Sequence, residues 1–393
     1  MPEQTVPEIS ESASLSGNGS IRELALFFLR LGTTAFGGPA AHIAIMEDEL
    51  VRRRRWLSRE KFLDLLGASN LIPGPSSSEL AIHIGYLRAG WTGLVVAGIC
   101  FVLPAAIIVG VLAWLYLHFG KLSVTSAILY GVKPVVIAVI VQALLGLGRT
   151  AVKTTFLGLV AAFSLVLAFL GLHPLLLLLL AGGVVCLSEL RTSRLSVCAF
   201  PFSAAPAVAL AGTATSFSLA SLFLVFLKVG AVVFGSGYVL LAFLRADLVV
   251  HHGWLTDSQL VDAVAVGQLT PGPVFTTATF VGYLLGGVRG ATVATVGIFL
   301  PAFLLVAASG PLVPRIRRSK IAGTFLDGVN VGSLALMAEV SWQLGRASVV
   351  DVVTIVLAVS SLIALLQFRL NSGWLILIGA IIGLIASAFH IHL

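Results

Sequence analysis

The sequence predicts an all-α, polytopic membrane protein built from two inverted-topology repeats, and three observations carry that prediction. Hydrophobic residues make up 58% of the 393 and charged residues 10%, where a soluble globular chain carries about 25% charged residues. Long unbroken apolar runs, such as 172–187, read as helical spans and not as the short alternating segments of a β-barrel. The third observation is a duplication. Phe28, Gly32, Phe36-Gly37-Gly38-Pro39, Trp56-Leu57, Pro73-Gly74-Pro75, Gly85-Tyr86 and Leu103-Pro104 recur as Phe226, Gly230, Phe234-Gly235, Trp254-Leu255, Pro271-Gly272-Pro273, Gly282-Tyr283 and Leu300-Pro301. The offset is 198 up to the second Pro-Gly-Pro and 197 beyond it, so one residue is lost between the copies.

Four segments follow from this pattern. Residues 1–20, rich in Ser, Glu and Pro with no basic or apolar signal region, read as a disordered tail. The first repeat is 21–194, a linker with Pro201 and Pro206 covers 195–220, and the second repeat is 221–393. The net charge of +7 comes from basic residues gathered in short loops, a topology signal and not a nucleic-acid surface.

Charge bias gives the relative orientation. Arg52-Arg53-Arg54-Arg55, Arg59 and Lys61 put their loop inside, whereas the equivalent Val250-His251-His252-Gly253 has no Arg or Lys. After the Pro104 span there is only Lys121, but after the Pro301 span there are Arg315, Arg317, Arg318 and Lys320. The bias reverses between the copies, as inversion requires. Arg289 and Arg346 run against it.

A Pro-Gly-Pro triplet cannot continue a helix. Between apolar flanks, broken backbone is tolerated in lipid only where protein or a cavity surrounds it. With the Arg52–Arg55 loop inside and the Lys121 loop outside, stretches 62–86 and 91–116 cannot both cross, so 62–86 enters and returns with Pro73-Gly74-Pro75 at its tip. Five crossings complete the half, at about 24–46, 91–117, 129–148, 154–170 and 174–188. An odd count inverts the second half and places the N-terminal tail and the C-terminus outside.

Matching breaks in a duplicated membrane chain point to a transporter's binding site. Arg30 and Lys228 are equivalent intramembrane cations, so they mark a substrate path or else snorkel to an interface. Gly37, Gly38 and Gly235 loosen the first span of each copy. Asn70 and Gln268 precede the Pro-Gly-Pro triplets (Pro73, Gly74, Pro75 and Pro271, Gly272, Pro273). Ser76, Ser77 and Ser78 follow one triplet, and Thr276 and Thr277 the other. At a half-helix start these hydroxyls form an anion site or simply cap the helix. Glu79 and His42 are candidates for ion coupling. Glu79 has no acidic counterpart and either binds a proton or pairs with a base. Glu339 and Asp327 are further acidic candidates, while Asp64 and Asp262 read as structural.

Cys100, Cys186 and Cys198 read as packing residues, and His390 and His392 as incidental. No metal cluster or nucleotide loop appears, so neither a cofactor nor an enzymatic activity is expected.

Leu31-Gly32, Phe36-Gly37-Gly38, Asn70-Leu71-Ile72-Pro73-Gly74-Pro75, Gly85-Tyr86, Phe101-Val102-Leu103-Pro104 and their second copies resemble the bacterial chromate ion transporters in their long two-domain form. Ser236-Gly237 stands where the first copy has Gly38-Pro39, so the halves need not contribute equally. The resemblance implies proton-coupled export of chromate across the inner membrane, giving chromate resistance. The residues alone imply a secondary transporter of a small anion. A sulfate or other oxyanion carrier, a passive anion channel and a transport-linked sensor are the competing readings. The expected partners are an oxyanion and the bilayer, with room for a homodimer and none for nucleic acid.

Overall fold

The computed structural model describes residues 21–36, 38–120, 123–192, 217–234, 237–318, 320–368, 370 and 372–388. The expected tail, the linker as far as residue 216, Gly37, Gly235, Cys198, His390 and His392 fall outside them. The described residues contain helices and no strands.

The first half consists of α1 (Ile21–Thr34), α2 (Gly38–Met46) running into a π-helical turn (Glu47–Arg53), α3 (Arg59–Ser69), α4 (Ser76–Phe119), α5 (Ser123–Ala151), α6 (Thr155–Phe169) and α7 (Pro174–Thr192). The second half repeats it. It has α8 (Leu219–Val232), α9 (Leu240–Leu244) with its own π-helical turn (Arg245–His251), α10 (Asp257–Leu269), α11 (Thr277–Arg318), α12 (Lys320–Ser348), α13 (Val352–Gln367) and α14 (Ser372–Ala388). Helices within α4, α5, α11 and α12 are long and apolar enough to cross a membrane. Local sequence sets the boundaries: Ser58 caps α3 by accepting from the Lys61 N–H, and its equivalent Thr256 forms a capping box with Gln259 on α10.

The Pro-Gly-Pro stretch enters and returns as expected. Helix α4 kinks at Ala89 and Gly90, where Gly90 takes φ +58°. Its arms, 76–88 and 91–119, leave the kink in backbone contact: a Cβ on Gly85 would lie 2.3 Å from the Gly93 carbonyl oxygen. Helix α11 repeats the device at Gly286 and Gly287. The returning arm ends with the Arg88 guanidinium 4.7 Å from the Trp56 ring, beside the start of α3.

The first stretch differs from expectation. Residues 24–46 do not form one crossing; the helix breaks after Thr34 and the chain doubles back. Trp56 packs edge-on to Phe27 at 6.2 Å, and Arg54 lies over both rings. A continuous helical path would separate Phe27 and Trp56 by about 43 Å. The reason is local: Pro39 cannot extend the helix from α1, and Gly38 at φ +70° accommodates the reversal. The first half thus doubles back twice, and the described chain begins at Ile21 on the face that carries Arg54, not on the opposite face.

Inversion rests on helix direction. Along α5, Tyr130, Ile137, Gly148 and Lys153 meet Asp351, Gly345, Leu334 and Asp327 in turn, so α5 and its repeat equivalent α12 run antiparallel. On α7, Leu177 meets Gly332 and Gly182 meets Phe325, so α7 ends on the arginine-rich face. Helix α8 begins on the other face, where Lys228 lies near His173. The described end of α7 and start of α8 therefore lie on opposite faces, and the second half is inverted relative to the first, as an odd count of crossings was expected to give.

Gly85→Leu forces apart the two arms of α4 and should cost about 1–3 kcal/mol. Gly110→Leu, with nothing within 4 Å of its Cβ position, should cost little. Thermal unfolding of the detergent-purified variants should show a lower midpoint for the first and a near-unchanged one for the second.

Candidate substrate site

The four chain breaks meet one another. The Gly74 N–H donates to the Val233 carbonyl at 2.7 Å, and the Gly272 N–H donates to the Ala35 carbonyl at 3.0 Å. Gly74 and Gly272 are repeat equivalents, as are Ala35 and Val233. The Pro-Gly-Pro tip of each half is thus hydrogen-bonded to the first break of the other. Glycine is required for this crossing. Gly272 sits at φ +91°, and a Cβ there would lie 2.5 Å from the Ala105 Cβ; Gly74 sits at φ +137° against the Glu79 carboxylate.

The chain leaving each tip presents the start of a helix, whose first N–H groups have no partner within the helix and carry the positive end of its dipole. In the first half the Ser76, Ser77 and Ser78 hydroxyls do not cap that start. Ser77 Oγ lies 3.4 Å from His42 Nδ1. In the second half the hydroxyls are used internally, with Thr276 donating to the Pro273 carbonyl and Thr277 to the Val274 carbonyl, both at 2.8 Å. The hydroxyls are thus used differently in the two halves: none caps the helix start in the first, and both bond to carbonyls of their own turn in the second.

The polar side chains are one-sided as well. His42 is fully buried, with Nε2 3.2 Å from the Ala35 carbonyl whose oxygen also receives the Gly272 N–H. Glu79 is fully buried, and among the described residues neither of its carboxylate oxygens has a hydrogen-bond partner. The equivalent positions hold Leu240 and Thr277. Asn70 caps the C-terminus of α3 and is exposed, while Gln268 is half-buried.

Arg30 and Lys228 do not meet at the tips. Each lies five residues before its break, about 7.5 Å along its helix. Arg30 is exposed in a cavity of about 410 Å³ that Thr33 and Arg54 also line, on the arginine-rich face. Lys228 approaches from the opposite face and is paired with Asp247 at 2.6 Å. Burial first, and the Lys228 ammonium second, hold the nearby His173 imidazole below its usual pKa.

The remaining acidic candidates are accounted for by partners. Asp262 is buried against Lys133 at 3.0 Å and accepts from the Tyr116 hydroxyl at 2.8 Å. Asp327 pairs with Lys153 at 2.7 Å. Glu339 accepts from Gln343 and lies 4.0 Å from Arg245. Cys100 and Cys186 are half-buried packing residues, as expected.

Sequence reasoning missed one pair of sites. Arg245 binds Asp257 at 2.8 Å, and at the equivalent positions Glu47 meets Arg59 at 3.7 Å, with the charges exchanged. The signal was present in the repeat alignment, since both positions reverse sign together.

Inverted repeats with discontinuous helices whose starts come together are an arrangement found in membrane transporters. The chain belongs to the chromate transporter family, whose profile matches residues 22–187 and 220–384, one match in each half. It is 33% identical to a chromate transport protein of Cupriavidus metallidurans over 93% of both chains. It is 34% identical to a probable chromate transport protein of Synechococcus elongatus, over 93% of this chain and 95% of that one. Identity is also 34% with a chromate transport protein of Pseudomonas aeruginosa, over 89% of this chain and 87% of the other. No solved structure matches it.

Gly272→Val removes the left-handed turn and drives a side chain into Ala105. Oxyanion flux in vesicles should fall roughly ten- to a hundredfold, with the amount of inserted protein unchanged by immunoblot.

Proposed function

We propose that this multi-pass membrane protein exports chromate from the cytoplasm across the inner membrane, with protons as the coupling ion. The observation that carries the reading is the pair of reciprocal backbone bonds at the tips, which bring helix starts from both halves to one place. A tetrahedral dianion needs many N–H and O–H donors and nearby positive charge when it leaves water. Asn70, Ser76, Ser77 and the first-turn N–H groups supply donors from the first half, and Gln268 and the leading N–H groups of the Val274–Thr276 turn that runs into α11 supply them from the second. Arg30 and Lys228 stand one on each approach, so the anion meets a cation from whichever face it enters.

Glu79 is suited to proton coupling. A bare carboxylate with no donor is costly to bury, and Glu79 lies against the Gly74 turn that bonds the other half. Protonation there changes the charge beside the tip itself. His42, held between Ser77 and the Ala35 carbonyl, ties the same tip to the first break. The arginine-rich face is assigned to the cytoplasm by the positive-inside rule.

Flux of chromate into everted vesicles tests this, with and without a pH gradient and with excess sulfate. The wild type should accumulate chromate only with the gradient, and sulfate should compete weakly. Glu79→Gln should abolish gradient-driven accumulation while leaving downhill exchange. Arg30→Ala and Lys228→Ala should each lower flux about tenfold, the effect of some 1.4 kcal/mol. Full flux in both cation variants would remove the cation assignment, and gradient-independent flux in the wild type would favour a channel.

A further inference from the structure

The two hairpin pairs are equivalent in sequence but not in surroundings. On α10, Leu260 to Ala265 are buried without interruption. On α3 only Phe62 of the equivalent stretch is buried: Leu63 is 48% exposed where its repeat partner Val261 is 1% exposed. The first hairpin shows the same difference, with Ile45 at 40% and its partner Phe243 at 1%. The open face of α3 also carries Glu60 and Asp64, both exposed, and ends at exposed Asn70. Charged and amide groups facing outward at that depth require water and not lipid, so α3 borders an aqueous cleft that leads from the arginine-rich face to the tips.

Beyond the apolar packing of Leu260, Val261 and Val264 in the core, a set of polar links ties α10 to the long helices. Lys133 on α5 reaches both Ser258 (2.8 Å) and Asp262 (3.0 Å). Tyr116 on α4 donates to Asp262, and Arg245 spans Asp257 and Glu339 on α12. The equivalents of Lys133 and Glu339 are Asn330 and Gln142, which carry no charge. The arginine-rich face therefore cannot form the same ionic closure.

We propose that Lys133, Asp262, Tyr116, Arg245 and Glu339 form the closed gate on the arginine-poor face, and that the structure is the state open to the arginine-rich face. The opposite state is reached by exchanging the two conformations: α10 leaves α5 and α12, and α3 docks where its repeat symmetry places it. The counterpart of this gate lacks the Lys133 and Glu339 charges, so the resting protein favours opening toward the arginine-rich face. This rests on the transporter reading above, but its test reads shape and not flux, so loss of the chromate assignment would leave the labelling result intact.

The test uses a background without Cys100, Cys186 and Cys198, reconstituted in nanodiscs, with Leu63→Cys or Val261→Cys probed by a charged maleimide. The residue at 63 should react at least tenfold faster than the one at 261. Adding Lys133→Ala should slow labelling at 63 and speed it at 261, each severalfold, and the charge-exchanged pair Lys133→Asp with Asp262→Lys should reverse the shift. Equal labelling at 63 and 261, no response to Lys133→Ala, or a rise at both sites together would each overturn the proposal. The last pattern is that of a merely structural ion pair whose loss loosens the fold.

Discussion

Two backbone hydrogen bonds, Gly74 to Val233 and Gly272 to Ala35, hold the rest of the structure in place. Broken helices leave N–H and C=O groups without partners, and in a bilayer each such group costs several kilocalories. Here each half satisfies a break in the other. Neither repeat could close its own tips in this way, which is why a single copy of the motif is not a self-sufficient unit within this chain. The glycine in each triplet supplies the left-handed turn and the missing side chain, and the flanking prolines keep the helices from closing over the gap.

Around that crossing the repeats diverge in chemistry. The first half contributes a serine hydroxyl set against a buried histidine and a carboxylate that has no hydrogen-bond partner among the described residues, while the second ties its hydroxyls to backbone carbonyls and fills the matching positions with Leu240 and Thr277. Symmetric backbone with asymmetric side chains is the combination a coupled carrier needs: symmetry gives two interchangeable conformations, and asymmetry lets one ion bias the choice between them. The exchanged charges at Glu47–Arg59 and Arg245–Asp257 preserve a brace in both halves while reversing its sign.

Much of this was legible in the sequence because proline and glycine act locally. The Pro-Gly-Pro triplets announced their own breaks, and the reversed loop charges announced inversion. The first hairpin was harder to read. Its apolar length suited a crossing, and only the fold-back of Trp56 onto Phe27 shows that Phe36-Gly37-Gly38-Pro39 is a second reversal of the same kind. Arg30 and Lys228 occupy equivalent positions of the repeat, but equivalence in sequence does not fix environment. Asp247 neutralises one, and the other faces an open cavity with Arg54. Long-range partners such as Lys133 with Asp262 have no local signature and become visible only once α5 and α10 are packed together.

The most direct test is hydrogen–deuterium exchange of the nanodisc-embedded protein, read at segments 70–78 and 268–277 with and without chromate. If both halves build one site, chromate slows exchange in the two segments together, with the same concentration dependence. Protection confined to one segment, or protection of the two at clearly different concentrations, would mean that the crossed tips are scaffolding and that the anion binds elsewhere.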